Sequence, residues 1–240
     1  MILIELMFYL SLFLFFIFFS YILVYKSFSL STSKITTPDQ ALMQLLQGNK
    51  KYNSFLNLKR KADQRSVAII QRPFAVILSC SDSRVPTEII FNQLNLGNLF
   101  IIRNAGNVVD GVVLGSIEYG IDQLGALLII VLGHERCGAV TTTVDHIIEN
   151  KPESACHIKD IINAINPAAM HILKENKISG PISEATKSDI VEQVVKLNVT
   201  SIVHALPTLS PIIKQALDTK KVKIVGAFYD LDEGDVHIIA

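Results

Sequence analysis

Cys80, His134 and Cys137 are the residues of this chain best equipped for chemistry. Two thiolates and one imidazole form the N/S donor set that zinc prefers, and three ligands with a fourth position open describe a catalytic site better than a structural one. His134 and Cys137 are separated by two residues, close enough to reach one ion across a strand-to-helix turn. Cys80 is remote in sequence, so the fold must deliver it. A helix starting at Gly138 would place its N-terminal dipole at Cys137 and favour the thiolate there. Two thiolates would leave a Zn²⁺ site with no net charge, whereas three neutral histidines would leave it at +2. The neutral two-thiolate site is expected to acidify bound water less strongly than the +2 site and to shift activity towards alkaline pH.

Asp82 and Arg84 stand two and four positions after Cys80. An arginine fork binds a carboxylate bidentately and fixes its orientation. Held this way, Asp82 stays ionised and accepts a hydrogen bond from a metal-bound water. Released from Arg84, it would swing in as a fourth ligand and close the site.

Elements must exist to carry these residues. Apolar runs at 74–79, 99–103, 127–132 and 222–229 are rich in Ile, Val and Leu without alternation, the pattern of parallel strands covered on both faces. Helical patterns separate them at 112–124 (Val113, Ile117, Ile121, Leu124), 138–149, 158–175 and 187–197 (Ile190, Val191, Val194, Val195). This alternation predicts an α/β fold, with a mainly parallel sheet of about four core strands flanked by helices. The ligand segments then sit just past strand C-termini, where open α/β sheets place their sites. Thr37, Pro38 and Asp39 predict a helix start, and Ala41, Leu42, Leu45 and Leu46 give an apolar face, so an N-terminal helical arm precedes the sheet.

The 240 residues divide into a hydrophobic leader (1–30), a Ser/Thr-rich linker (31–37) and a catalytic domain (38–240). Residues 6–25 carry no charge and are long enough to cross a bilayer. They read as a membrane anchor or an export (periplasmic) signal, with the side of the membrane open. Basic and acidic residues number 22 each and the pI is about 7.0, which excludes an electrostatic partnership with nucleic acid. Cys156 is the one cysteine outside the ligand set, and three cysteines make no disulfide framework.

Cys80-Ser81-Asp82-Ser83-Arg84-Val85-Pro86 and Gly133-His134-Glu135-Arg136-Cys137-Gly138-Ala139 resemble the two signatures of the β-class carbonic anhydrases. Arg103-Asn104-Ala105-Gly106-Asn107 is similar to that family's RNAGN-type segment, and 226–232 to its C-terminal strand. The resemblance runs from about Thr37 to the end of the chain. It implies one Zn²⁺ per subunit on Cys80, His134 and Cys137, with Asp82 and Arg84 as the catalytic dyad. The implied reaction is reversible hydration of CO₂ to bicarbonate and a proton by a zinc-bound hydroxide. It also implies that Gln71 hydrogen-bonds substrate and that Phe100 and Tyr119 line the CO₂ pocket. These three reach across a subunit interface in the family, so the implied unit is a homodimer or a higher even oligomer. Two other readings compete. The same zinc site would hydrolyse CS₂ or COS, or the chain would be a silent, membrane-tethered zinc-binding protein.

Overall fold

In the computed structural model, which describes residues 68–93, 95–150 and 156–240, the apolar runs form one five-stranded sheet. β1 (Ala75–Cys80), β2 (Leu99–Asn104), β3 (Leu128–His134) and β4 (Lys223–Tyr229) are parallel; β5 (Val236–Ile238) returns antiparallel along β4. Their order is β2-β1-β3-β4-β5. The chain steps from β1 out to one edge, crosses back to β3 and continues to the other edge. Connections therefore diverge between β1 and β3, which makes the C-terminal ends of those two strands the topological switch point.

Six α-helices cover the sheet among the described residues: α1 (Thr87–Ile90), α2 (Gly111–Glu118), α3 (Gly138–Ile148), α4 (Ile158–Glu175), α5 (Glu184–Leu209) and α6 (Pro211–Asp218). Every residue of β1 is buried, as its lack of alternation predicts. Val76 and Leu78, with Ile129 and Val131 of β3, pack against Val113 and Ile117 of α2, Val199 and Leu206 of α5 and Ile213 of α6. Ile77, Leu132 and Ala227 pack with Val85, against which Ile90 and Phe91 close. Gly133 permits a close approach: a Cβ there would lie 2.7 Å from side-chain carbons of both Val195 and Val199, so α5 rests directly on the end of β3.

Several expectations are corrected. The strands end on Cys80 and His134 rather than before them, because both residues pair in the sheet ladder, Cys80 with Asn104 and His134 with Tyr229. The 112–124 pattern divides into α2 and a wider π-turn, Tyr119–Gln123, which brings Gly120 hard against Val76. The 187–197 pattern is one part of α5, which begins on its Ser183 cap and continues to Leu209. β5 and α6 were not anticipated; α6 starts at Ser210, whose hydroxyl accepts from the Ile213 amide, with Pro211 in the first turn. The leader, the linker and the N-terminal helical arm lie outside the described residues. Among the described residues, no helix is long and apolar enough to cross a membrane.

Candidate metal centre

Sheet and loop converge on one small volume. Cys80 closes β1, His134 closes β3, and Cys137 is the N-cap of α3, with 4%, 0% and 1% of their surfaces exposed. One ligand-capable atom from each lies within 4.8 Å of the others. The two sulfurs are 4.0 Å apart. That is too far for a disulfide, at ~2.05 Å, and close to the ~3.8 Å separating two sulfurs on one tetrahedral zinc.

The imidazole is oriented for the same purpose. Its Nδ1 lies 2.8 Å from the Glu135 carbonyl oxygen, which only accepts, so the proton sits on Nδ1. Nε2 is left with a bare lone pair, buried and without a hydrogen-bond partner. Such an atom is costly unless a cation or donor meets it. The hydrogen bond between the two thiols lowers the pKa of Cys80, against burial and with help from His134 and the Gly106 amide. The same bond, reinforced by burial and by the charge on Cys80, pushes Cys137 far above the ordinary thiol range. Two buried sulfurs 4.0 Å apart disfavour a second negative charge unless a cation lies between them. The donor set fits zinc.

Beside the cluster, the Asp82 carboxylate accepts three hydrogen bonds from Arg84: from its amide at 2.9 Å, from Nε at 3.0 Å and from Nη2 at 2.8 Å. The Arg84 guanidinium thereby holds the Asp82 carboxyl well below the usual carboxylate range. Asp82 Oδ2 stands 4.0 Å from His134 Nε2. The carboxylate is therefore turned towards its arginine, within a short side-chain movement of the ligand cluster.

Several supports carry no signal in residue type. Arg103 donates to the backbone oxygens of Cys80 (3.0 Å) and Asp82 (2.7 Å), pinning the loop that carries the dyad. The Gly106 amide donates to the Cys80 sulfur at 3.3 Å, and the Asn198 side chain donates to the Gly106 carbonyl at 3.3 Å. Gly106 has φ +74°, and a Cβ there would come within 2.7 Å of Ile165, so glycine is required on both counts. The RNAGN-type resemblance marked this segment, but its amide and Asn198 were not singled out.

Gln71, Phe100 and Tyr119 are not brought to this cluster within the chain. Phe100 pairs with Val76 while Cys80 pairs with Asn104, which sets the ring about 13 Å back along the strand. Its centroid is 6.0 Å from that of Tyr119, which is 48% exposed. Gln71 is exposed in the segment leading into β1, beside Phe74 and Leu127. All three lie towards the N-terminal end of the sheet.

An open α/β sheet with two thiols and an imidazole at its switch point has the donors of an α/β enzyme site able to hold a metal. Comparisons with known proteins narrow it. The sequence pattern of the carbonic anhydrase family matches residues 75–236. A carbonic anhydrase of Mycolicibacterium smegmatis is 36% identical over 173 residues, covering 72% of this chain and 78% of that one. Carbonic anhydrase 2 of Mycobacterium tuberculosis is 33% identical over 202 residues, covering 83% and 91%. Among solved structures, the Coccomyxa β-carbonic anhydrase in complex with acetazolamide superposes with a TM-score of 0.68 at 27% identity, over 82% of this chain and 86% of that one. The β-carbonic anhydrase CcaA shares the fold with a TM-score of 0.72 at 24% identity, over 82% and 94%. The chain belongs to the carbonic anhydrase family, in its β class, and is an enzyme of that family.

Proposed function

We propose that this enzyme interconverts CO₂ and bicarbonate using a zinc ion held by Cys80, His134 and Cys137. The observation that carries the reading is the buried, unpartnered Nε2 of His134 facing two sulfurs 4.0 Å apart. Bound there, zinc supplies a Lewis acid that lowers the pKa of a coordinated water. Asp82 remains a carboxylate throughout the working pH range, because Arg84 stabilises its charge. It thus acts as a fixed acceptor that orients a hydroxyl hydrogen in the cleft and leaves an oxygen lone pair directed at the carbon of CO₂. Arg84 sets the direction of that acceptor and restrains Asp82 from joining the ligands.

Gln71, Phe100 and Tyr119 complete the site across a subunit boundary, Gln71 donating to a substrate oxygen and the two rings keeping the CO₂ pocket apolar. Their distance from the cluster of their own chain supports a homodimer or a higher even oligomer. In addition, related folds include a pair of β-carbonic anhydrases described as tetrameric. Residues 6–25 carry a separate proposal, membrane attachment or export, which fractionation and N-terminal sequencing of the mature protein would test.

Stopped-flow CO₂ hydration with a proton indicator, alongside metal analysis, tests the central reading. The expected result is one zinc per chain and turnover far above background, with Asp82→Asn keeping the zinc and losing most turnover. A zinc-loaded protein that leaves CO₂ at the background rate while consuming CS₂ would overturn it.

A further inference from the structure

Glu135 and Arg136, the two residues between His134 and Cys137, have no side-chain part in the mechanism above, yet both side chains tie the ligand loop to the turn between β4 and β5. Arg136 has φ +51°, in the left-handed region where a residue with a Cβ is uncommon. In this conformation its carbonyl accepts from Arg84 Nη2 at 3.2 Å. Its guanidinium meanwhile reaches the turn between β4 and β5 and binds Asp232 bidentately, at 2.9 and 2.7 Å. Asp232 is itself set in place: Asp230 Oδ1 accepts from the amides of Asp232 (2.8 Å) and Glu233 (2.9 Å). Glu135 makes a parallel tie, its Oε2 lying 3.2 Å from Arg136 Nη2 and accepting from the Leu231 amide at 3.2 Å.

The consequence lies in Arg84. One nitrogen, Nη2, donates both to Asp82 Oδ2 at 2.8 Å and to the Arg136 carbonyl at 3.2 Å. The guanidinium is thus held from two sides. Without the second hold, a side chain that is 51% exposed regains rotamer freedom, and Asp82 loses part of its fork.

We infer that Arg136, anchored by Asp232, is a positioning residue for the dyad: it straps the ligand loop to the β4–β5 turn, keeps its own carbonyl against Arg84, and so keeps Asp82 paired with Arg84 instead of with the metal. This inference rests on the zinc reading. The strap crosses from β3 to β4 and does not touch the ligand atoms, so it biases the carboxylate without contributing to metal binding.

The test uses the full chain loaded with Co²⁺, read by its visible absorption and by titration with thiocyanate, an anion that competes with Asp82 for the fourth position. Arg136→Gly removes the strap while accepting the positive φ without strain. Asp232→Asn removes the charge at constant shape. Both variants should bind one Co²⁺ per chain with an altered d–d spectrum. Thiocyanate affinity should fall about fivefold, a modest effect because Asp232 is 65% exposed. The double variant should lose no more than either single one, since both break the same contact. Metal-loaded variants with wild-type spectrum and anion affinity would overturn the strap, even if their thermal stability fell. A wild-type chain that binds neither Zn²⁺ nor Co²⁺ would instead remove the zinc reading, and this inference with it.

Discussion

The two ends of the sheet are opposites. At the C-terminal end Cys80, His134 and Cys137 are almost wholly buried, and Asp82, Arg84, Arg103 and Arg136 bond to one another or to the backbone beside them. At the N-terminal end Phe74, Tyr119 and Leu127 are 47%, 48% and 63% exposed, with Gln71 exposed among them. The difference teaches what one chain completes alone. Buried polar atoms call for partners, and at the ligand end Arg84, Arg103 and the Gly106 amide supply them to Asp82 and Cys80. Ser79 Oγ, Asn107 Nδ2 and His134 Nε2 have none among the described residues; of these, His134 Nε2 lies beside the two sulfurs. Adjacent exposed apolar side chains are the mark of a surface meant for another molecule. One end gathers a buried set of side chains able to hold a metal, and the other is a face whose partner we propose to be a second copy of the chain.

The sharpest way to break this comparison is His134→Ala, which should strip the zinc and reduce CO₂ hydration to background, as metal analysis and stopped flow would show. Retained turnover would mean that the buried cluster is not the reactive centre. Asp82→Asn should leave zinc in place and lower kcat/KM by about 10²-fold or more, the scale of a positioned acid–base group. Tyr119→Asp places a charge on the exposed end; sedimentation should show dissociation, with turnover reduced about tenfold, the order expected from losing a few moderate contacts, and zinc retained. A fully active monomer would end the idea that the two ends serve one another across subunits.

The smallest effect concerns acid stability. Because Arg84 depresses the folded-state pKa of Asp82, its contribution is fully present above the unfolded value of about 3.9 and is lost as pH falls through the lower folded value. The stability gap between wild type and Asp82→Asn should therefore narrow only below about pH 4 in thermal melts. A gap that closes already near neutrality would mean that Arg84 does not hold the carboxylate in solution.

Legibility followed the size of the signal. β1 and β3 were readable because strands covered on both faces need long apolar runs, while β5 has three residues and no periodicity to detect. The ends of β1 and β3 shifted because ladder pairing continues through Cys80 and His134 whatever their side chains. α5 exceeded its predicted length because Asn198, Thr200 and Ser201 interrupt the apolar pattern, although Val199 and Leu206 carry the buried face onward. At the site, thiol, imidazole, carboxylate and guanidinium announced themselves by type. The Gly106 amide and the Arg136 carbonyl did not, since every residue but proline carries both groups.

What the sequence determined by itself was the chemistry on offer: an N/S donor set, a carboxylate with an arginine two residues away, and apolar runs able to bury them. Side-chain type and local spacing are enough for that. Tertiary structure alone decided which state those groups take up. The β1–β3 switch point brings two sulfurs within 4.0 Å, burial and the Glu135 carbonyl free the correct nitrogen of His134, and a turn from the far side of β4 holds the loop beside Arg84. Those contacts join residues far apart along the chain, and only the packed sheet sets the distances between them.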